Sequence, residues 1–225
     1  MKNVSIAIDG PAAAGKSTVA KIVAERKGFI YIDTGAMYRA FTWYCLRNNI
    51  DCQDEAACVK AIPDVKIELK PGHIVLCNGV DVSKEIRLPD VSGNVSYIAS
   101  YKDIRLALVE LQRKMAEKGS VIMDGRDIGT YVLPNADVKI FQIASPTARA
   151  VRRYDENISK GIQCTLEEVE EDVRKRDYID SHRDFAPLKQ APDSILLDTS
   201  YMDVEQVVQA IIEIIDNKLK EKEYA

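Results

Sequence analysis

Cysteine and histidine, the side chains of most zinc sites, are scarce in this sequence, which has five cysteines and two histidines among 225 residues. The cysteines are odd in number, scattered, and include no CxxC pair, so their spacing predicts neither a zinc site nor a disulfide framework. Long hydrophobic runs are also missing, and we therefore expect neither a signal peptide nor a transmembrane helix. Free thiols in a reducing compartment are the simpler interpretation, and they predict a cytoplasmic protein.

An excess of charge of one sign is absent as well. The chain carries 31 basic and 35 acidic residues, for a formal net charge of -4. This balance gives no general reason to expect a nucleic-acid or membrane partner. Hydrophobic residues make up 46% of the chain, which is enough for one large α/β domain or for a core with a small insert.

Short apolar runs alternate with helical patterns along most of the chain. The runs predict strands at residues 4–9, 29–33, 120–124, 138–143 and 194–198. The helical patterns cover residues 16–27, 36–48, 102–118, 146–160, 166–177 and 204–220. Strands that are apolar on both faces are typical of a parallel sheet covered by helices on each side. The sequence therefore predicts an α/β fold with a doubly wound core and a five-stranded parallel sheet.

One stretch, residues 64–81, breaks this alternation. Short apolar runs separated by Pro71-Gly72 and Asn78-Gly79 predict a small antiparallel β meander. We expect a single domain over residues 1–225, with a core of 1–60 and 96–225 and a β insert of about 61–95.

The first predicted strand is followed by GPAAAGKS at residues 10–17, which fits GxxxxGK[ST] at every fixed position. Such a P-loop points backbone N–H groups, and the positive end of the next helix, at phosphate oxygens. Lys16 would bridge the β- and γ-phosphates, and Ser17 would ligate Mg²⁺. A chance glycine turn is the alternative, which the flanking strand and helix disfavour. The predicted ATP-binding residues are Gly10, Pro11, Ala12, Ala13, Ala14, Gly15, Lys16, Ser17 and Thr18.

Two further strand ends carry polar residues. Asp124 begins the segment DGRD, where a carboxylate can hold Mg²⁺ through water, although a solvated turn is as common a reading of Asp-Gly. After the second strand, Thr34 capping the next helix and Arg39 holding an acceptor phosphate are alternatives that the segment alone leaves open.

The predicted helix 146–160 carries Arg149, Arg152 and Arg153. A solvated basic face is the usual meaning of this spacing. The alternative is a helical lid at about 149–165 that supplies arginines to a phosphoryl-transfer site only when it closes. The sequence has no NKxD-type guanine motif and is short for an ATP-driven motor, so a P-loop kinase core is favoured over a GTPase.

Four segments together resemble the bacterial cytidylate kinases, a family of P-loop nucleoside monophosphate kinases. They read IDGPAAAGKST at 8–18, DTGAMYR at 33–39, MDGRDIGT at 123–130 and KRDYIDSHRDFAPL at 175–188. The P-loop occurs in many families, whereas the other three in this order and spacing are specific. The resemblance implies transfer of the ATP γ-phosphate to CMP or dCMP with Mg²⁺, in pyrimidine metabolism. It also implies that the insert enlarges the nucleotide-binding region.

The resemblance further implies roles for individual residues. Contacts to the cytosine base fall at Thr34, Ser96, Arg105 and Asp127. Contacts to the acceptor phosphate fall at Arg39, Arg126 and Arg183, and ribose contacts fall at Arg176 and Asp180. Tyr38 and Gly125 complete the expected CMP-binding set. The expected catalytic residues are Lys16, Asp124, Arg126 and Arg153.

The chemistry of cytosine fits this assignment. A carboxylate such as Asp127 suits the amino donor at N4, and Arg105 and Ser96 suit the acceptors at N3 and O2. Other readings stay open: a P-loop kinase acting on UMP, AMP or a shikimate-type acceptor, a nucleotide-switch binding protein, or an inactive P-loop domain. Nothing in the sequence indicates an obligate interface, so we expect a monomer.

Overall fold

The structure is a computed structural model that describes residues 3–159 and 161–223. The ends of the predicted 1–225 domain lie outside the described residues, and so does residue 160, where the predicted helix 146–160 ends within the predicted lid. The chain divides into two compact units. The first unit comprises Met1–Tyr31 and Ala116–Ala225, and the second unit comprises Ile32–Met115. The predicted limits of the insert and of the lid stay predictions.

Strands and helices follow one another through both units. Within the described residues, the strands are β1 (Ser5–Asp9), β2 (Ile30–Asp33), β3 (Ile67–Lys70), β4 (Ile74–Cys77), β5 (Val80–Asp81), β6 (Val121–Gly125), β7 (Val138–Ile143) and β8 (Ile195–Asp198). The α-helices of the same part of the chain are α1 (Lys16–Lys27), α2 (Thr34–Arg47), α3 (Glu55–Lys60), α4 (Pro89–Ser100), α5 (Lys102–Ala116), α6 (Pro146–Ser159), α7 (Leu166–His182) and α8 (Val204–Glu223).

The main sheet is parallel and has the strand order β2-β6-β1-β7-β8. Strand β1 lies between β6 and β7, and the register places Asp9 beside Gly125 and Ile8 beside Asp124. The carboxylates of Asp9 and Asp124 therefore reach the carboxyl edge of the sheet, where α/β folds bind ligands. The predicted fold class, including the five-stranded parallel sheet and its strands, is confirmed.

Helices α1 and α8 pack on this sheet through apolar stripes. Val19 and Val23 of α1 are four residues apart, as are Val207 and Ile211 of α8, and all four are buried in one cluster with Ile6 of β1. This spacing gives each helix one apolar face. The face of β1 that carries Ile6 and Ile8 is consequently covered.

The second unit has its own core and its own sheet. Strands β3, β4 and β5 form the predicted antiparallel meander. The turn before β5 uses left-handed backbone at Asn78 (φ 50°) and Gly79 (φ 81°), as a two-residue hairpin requires. Phe41 of α2 and Ile98 of α4 are buried in the same cluster.

Some helices differ from the sequence prediction. Helix α4 was not predicted, although Pro89 stands at its first position and Val91, Val95 and Ile98 repeat at helical spacing. The short helix α3 was also not predicted. Helix α7 extends to His182, five residues beyond the predicted end at 177, and the ring of Tyr178 stacks on that of His182 one turn later.

The cysteines are free thiols, and four of them are buried. Among the residues that the structure describes, no helix has both the length and the apolar character needed to cross a membrane.

Candidate active site

The P-loop connects β1 to α1 and depends on two glycines. Gly10 has a φ of 151°, and a Cβ added to it would lie 1.9 Å from the carbonyl oxygen of Gln142 on β7. Gly15 caps the start of α1 with a φ of 87°. A side chain at either position would clash or strain the backbone. The loop can therefore approach β7 closely and turn directly into the helix N-terminus.

Lys16 is buried at the first position of α1, and its Nζ donates to the carbonyl oxygen of Pro11 at 2.7 Å. Burial lowers the pKa of Lys16, and the guanidinium of Arg126 lowers it further, against the opposing charge of Asp124. Its direct partner is thus a neutral carbonyl within the loop. Phosphate oxygens in the loop would give this cation the anionic partner that it lacks in that bond.

Ser17 and Asp124 meet beside the loop. The Ser17 hydroxyl donates to Asp124 Oδ2 at 2.7 Å, and the hydroxyl of Tyr31 donates to Asp124 Oδ1 at 2.6 Å. A hydroxyl and a carboxylate are hard oxygen ligands of the kind that Mg²⁺ takes alongside water and substrate phosphates. No group of three or more histidine, cysteine or acidic side chains in the described part of the chain is arranged to hold a metal. The hydroxyl of Ser17 and the carboxylate of Asp124 fit a metal that arrives with phosphate.

Asp9, at the end of β1, holds the loop that follows β6. Its two carboxylate oxygens accept the backbone N–H groups of Ile128 and Gly129, each at 2.7 Å. Burial raises the pKa of Asp9 to about 7 despite these two bonds, and the nearby charge of Asp127 adds to the increase. The sequence analysis did not select Asp9, because its role depends on a bond that spans 119 residues of chain.

The loop after β6 and the end of α7 bring predicted CMP-binding residues together. Arg126 Nε donates to Asp180 Oδ2 at 2.8 Å, and Arg183 lies 3.6 Å from Asp127. Burial alone would raise the pKa of Asp180, but the charges of Arg126 and Arg176 outweigh it and lower that pKa. Gly125 ends β6 directly before Arg126. The five charged residues, with Gly125 beside them, form one cluster in the first unit.

Asp33 organises the predicted site residues of the second unit. Its side chain accepts the N–H of Ala36 at 2.7 Å and is therefore the N-cap of α2, so the sequence interpretation of Thr34 as the cap is wrong. Its carboxylate also accepts from Arg39 at 3.2 Å and from Arg87 at 2.8 Å. Burial opposes ionisation of Asp33, but the two guanidinium groups lower its pKa.

The remaining predicted base contacts of the second unit lie on α2, α4 and α5. Arg105 is buried at 1% exposure, and its guanidinium lies 5.2 Å from the ring centroid of Tyr38. Thr34 begins α2 and Ser96 is buried on α4. The sequence analysis missed Arg87, whose contact with Asp33 spans 54 positions of the chain.

The arginines of α6 have separate environments. Arg149 and Arg152 donate to P-loop carbonyl groups, whereas Arg153 forms an ion pair with Glu156 at 2.9 Å. Of these three arginines, Arg153 is therefore the one whose ion-pair partner, Glu156, has an exposed side chain. The first two are part of the structure around the P-loop.

Comparisons with known proteins agree with these motifs. A sequence model of the family described as Cytidylate kinase matches residues 6–217. The cytidylate kinase of Lactiplantibacillus plantarum is 51% identical over 218 residues, which cover 96% of this chain and 96% of that protein. The cytidylate kinase of Geobacillus kaustophilus is 51% identical over 221 residues, which cover 97% and 99%.

A likeness to a solved structure concerns the fold alone. A gluconokinase from Sinorhizobium meliloti 1021 matches with a TM-score of 0.53 at 12% identity, covering 98% of this chain and 95% of that one. The two chains therefore share a fold.

Proposed function

We infer that this chain, which belongs to the cytidylate kinase family, transfers the γ-phosphate of ATP to CMP. The match of the family model to residues 6–217 carries this conclusion, and the 51% identity to two curated cytidylate kinases over nearly their full lengths supports it. The prediction made from the four motifs is confirmed at this level. The products are ADP and CDP.

The donor half of the reaction belongs to the P-loop, and we propose residues 10–18 as its ATP contacts. A kinase that uses ATP implies a divalent metal ion, and we propose Mg²⁺ with Ser17 as its protein ligand. The 2.7 Å hydrogen bond from the Ser17 hydroxyl to Asp124 supports this choice, because it brings together two oxygen atoms of the kind that ligate Mg²⁺. The ion would neutralise charge on the ATP phosphates when bound.

For the acceptor half, we propose residue roles from the matched motifs. Base contacts come from Thr34, Ser96, Arg105 and Asp127, with Tyr38 beside Arg105. Phosphate contacts come from Arg39, Arg126 and Arg183, with Gly125 allowing close backbone approach. Ribose contacts come from Arg176 and Asp180. The burial of Ser96, Arg105 and Asp127 supports a base-reading role, since buried polar groups reject a ligand that leaves them unpaired.

Catalysis then rests on position and charge. The CMP phosphate is already a nucleophile, so transfer needs no covalent enzyme intermediate. We propose that Lys16, Arg126 and Arg153 stabilise the charge on the transferred group, and that Asp124 orients Ser17. Arg153 would first exchange its ion pair with Glu156 for the phosphate.

A coupled assay of ADP release over a panel of acceptors tests the proposed function. We expect rapid ADP release with CMP and much less with UMP, AMP or shikimate. Equal rates with and without any acceptor would indicate an ATPase and refute the assignment. Rapid release with AMP or shikimate, but not CMP, would point to a different small-acceptor kinase.

Three finer features complete the proposal. We propose that dCMP is a second acceptor, that the enzyme is a monomer, and that it works in the cytoplasm. The free thiols support a reducing compartment. Addition of dCMP to the panel and light scattering of the purified chain test the first two.

A further inference from the structure

Side chains of β7 and α6 donate hydrogen bonds to carbonyl groups of the P-loop. Arg149 Nη1 donates to the carbonyl oxygen of Ala12 at 2.9 Å. Gln142 Nε2 donates to the carbonyl oxygen of Ala14 at 2.7 Å, and Arg152 Nη1 reaches the same oxygen at 3.2 Å. We call Gln142, Arg149 and Arg152 the carbonyl clamp. We propose that the carbonyl clamp positions the P-loop for phosphate by fixing the orientation of two of its peptide groups.

The planarity of the peptide bond connects these contacts to phosphate binding. In a trans peptide, the C=O of one residue and the N–H of the next point in opposite directions. A donor that holds the carbonyl of Ala12 therefore also sets the direction of the Ala13 N–H. The donors to Ala14 do the same for the N–H of Gly15. Backbone N–H groups are the phosphate ligands of such a loop, so the clamp acts on them through the peptide planes.

The backbone at Ala13 needs such support. Ala13 has a φ of 57°, in the left-handed region that an L-residue with a Cβ adopts only at a cost in free energy. Strained conformations of this kind persist where the surrounding contacts determine them. The bond from Arg149 to Ala12 fixes the peptide group directly before Ala13. The clamp thus opposes relaxation of the loop when phosphate is absent.

The surroundings of Arg149 assign it to positioning and not to direct contact with a substrate. Its side chain is 4% exposed, and its Nη2 donates to Asp177 of α7 at 2.6 Å. Its Nε donates to the carbonyl oxygen of Ala144 at 2.9 Å. The three bonds run to three different segments and leave three different nitrogens of the planar guanidinium, whereas the donors of an ammonium group all share one nitrogen. Gln142 is equally buried, at 1% exposure.

Two conservative substitutions test the clamp, and the inference rests on the ATP-binding role proposed for the loop. Gln142→Met keeps the volume and removes the donor, and Arg149→Lys keeps the charge and removes the fork. Matched controls are Gln209→Met and Arg174→Lys, because the side-chain hydrogen bonds of both residues are exposed and are made to residues on their own helices. Calorimetric titration of the full chain with ATP, and separately with CMP, gives the two dissociation constants.

We expect Gln142→Met and Arg149→Lys to weaken ATP binding about tenfold or more, the size of one lost buried hydrogen bond. CMP affinity should stay within about twofold, as should both affinities in the controls. Unchanged ATP affinity in Gln142→Met would overturn the inference. Equal losses of ATP and CMP affinity would also overturn it, because they indicate general destabilisation. If Arg149→Lys fails to fold, Gln142→Met decides alone. Normal ATP binding by a wild-type chain that does not phosphorylate CMP would refute the proposed function and leave the clamp standing.

Discussion

Asp9 is unusual because its carboxyl group is buried near the charge of Asp127 and still accepts hydrogen bonds from two backbone N–H groups. Its folded-state pKa of about 7 lies above its ordinary value of 3.8. The folded protein therefore holds a proton at Asp9 that the unfolded chain has released between these two pH values. By linkage, this group stabilises the fold below about pH 4, and the contribution is lost as pH rises to 7.

Replacement of Asp9 by Asn should remove this pH dependence. The free energy of unfolding of the wild type, measured by urea denaturation without nucleotide, should fall between pH 4 and pH 7 by more than that of Asp9→Asn. Infrared spectra should show a protonated carboxyl band that titrates near pH 7 and is missing from the variant. A wild type and a variant with parallel stability curves and identical carboxyl bands would contradict this account of Asp9.

Asp127 is the residue proposed to read the cytosine amino group. We expect Asp127→Asn to raise KM for CMP by about tenfold to a hundredfold, the discrimination of one good base-edge contact. KM for ATP should stay within about twofold. The control is Asp172→Asn, since Asp172 is exposed on α7. Steady-state kinetics with each substrate varied in turn checks this, and an equal rise in both KM values would refute the base-reading role.

At the residue scale, the sequence analysis proposed roles most directly for residues that stand within a recognisable local motif. The P-loop spacing predicted roles for Lys16 and Ser17 because both lie within a few residues of the loop glycines, and these roles stay predictions. Tyr31 and Arg87 gave no such signal. The partner of Tyr31 is Asp124, 93 positions away, and the partner of Arg87 is Asp33, 54 positions away. Only the folded structure brings these pairs into contact.

At the element scale, the start of α2 combines a helix cap with an arginine pair. Asp33 caps α2 and holds Arg39 and Arg87, so its charge should matter beyond the helix itself. Asp33→Asn keeps an oxygen that can accept the N–H of Ala36 but loses the attraction for the guanidinium groups. We expect KM for CMP to rise about tenfold, as when one charge-assisted bond is lost, with a smaller effect on KM for ATP.

The matched control for this substitution is Asp54→Asn. Asp54 caps α3 by accepting the N–H of Ala57 at 3.0 Å, at an exposed position. Its replacement should leave both KM values within about twofold. Steady-state kinetics of Asp33→Asn and Asp54→Asn, measured in parallel, separates an effect of helix capping from an effect on Arg39. Equal KM values for CMP in the two variants would exclude an effect on Arg39.

Helices and strands could be predicted where a single hydrophobic periodicity extends over a long stretch of sequence. The strands of the main sheet read as apolar runs because helices such as α1 and α8 cover them, and the predicted strand positions are confirmed. Helix α4 was not predicted because its apolar stripe of Val91, Val95 and Ile98 is short and the helix contains Gly93, a poor helix former. Helix boundaries such as the end of α7 depend on side-chain contacts that the pattern does not encode.

At the scale of the whole molecule, each unit has an arginine from the predicted substrate contacts that is paired with an aspartate. The first unit pairs Arg126 with Asp180, and the second pairs Arg39 with Asp33. An overall charge of -4 concealed these local cations, which is why composition gave no indication of an anionic substrate. Phosphate can replace a carboxylate as the partner of an arginine, so such pairs keep guanidinium groups ordered before the substrate binds.

The central claim is the transfer of phosphate from ATP to CMP, and following a labelled γ-phosphate tests it most directly. The wild type, ATP labelled at the γ-position, CMP and Mg²⁺ are incubated together, and the products are separated. We expect the label in CDP. Lys16→Ala should reduce that transfer by at least about a hundredfold without unfolding, since the proposed role of Lys16 is to neutralise charge on the transferred group. Label released only as inorganic phosphate, or Lys16→Ala transferring label to CDP at the wild-type rate, would contradict the account.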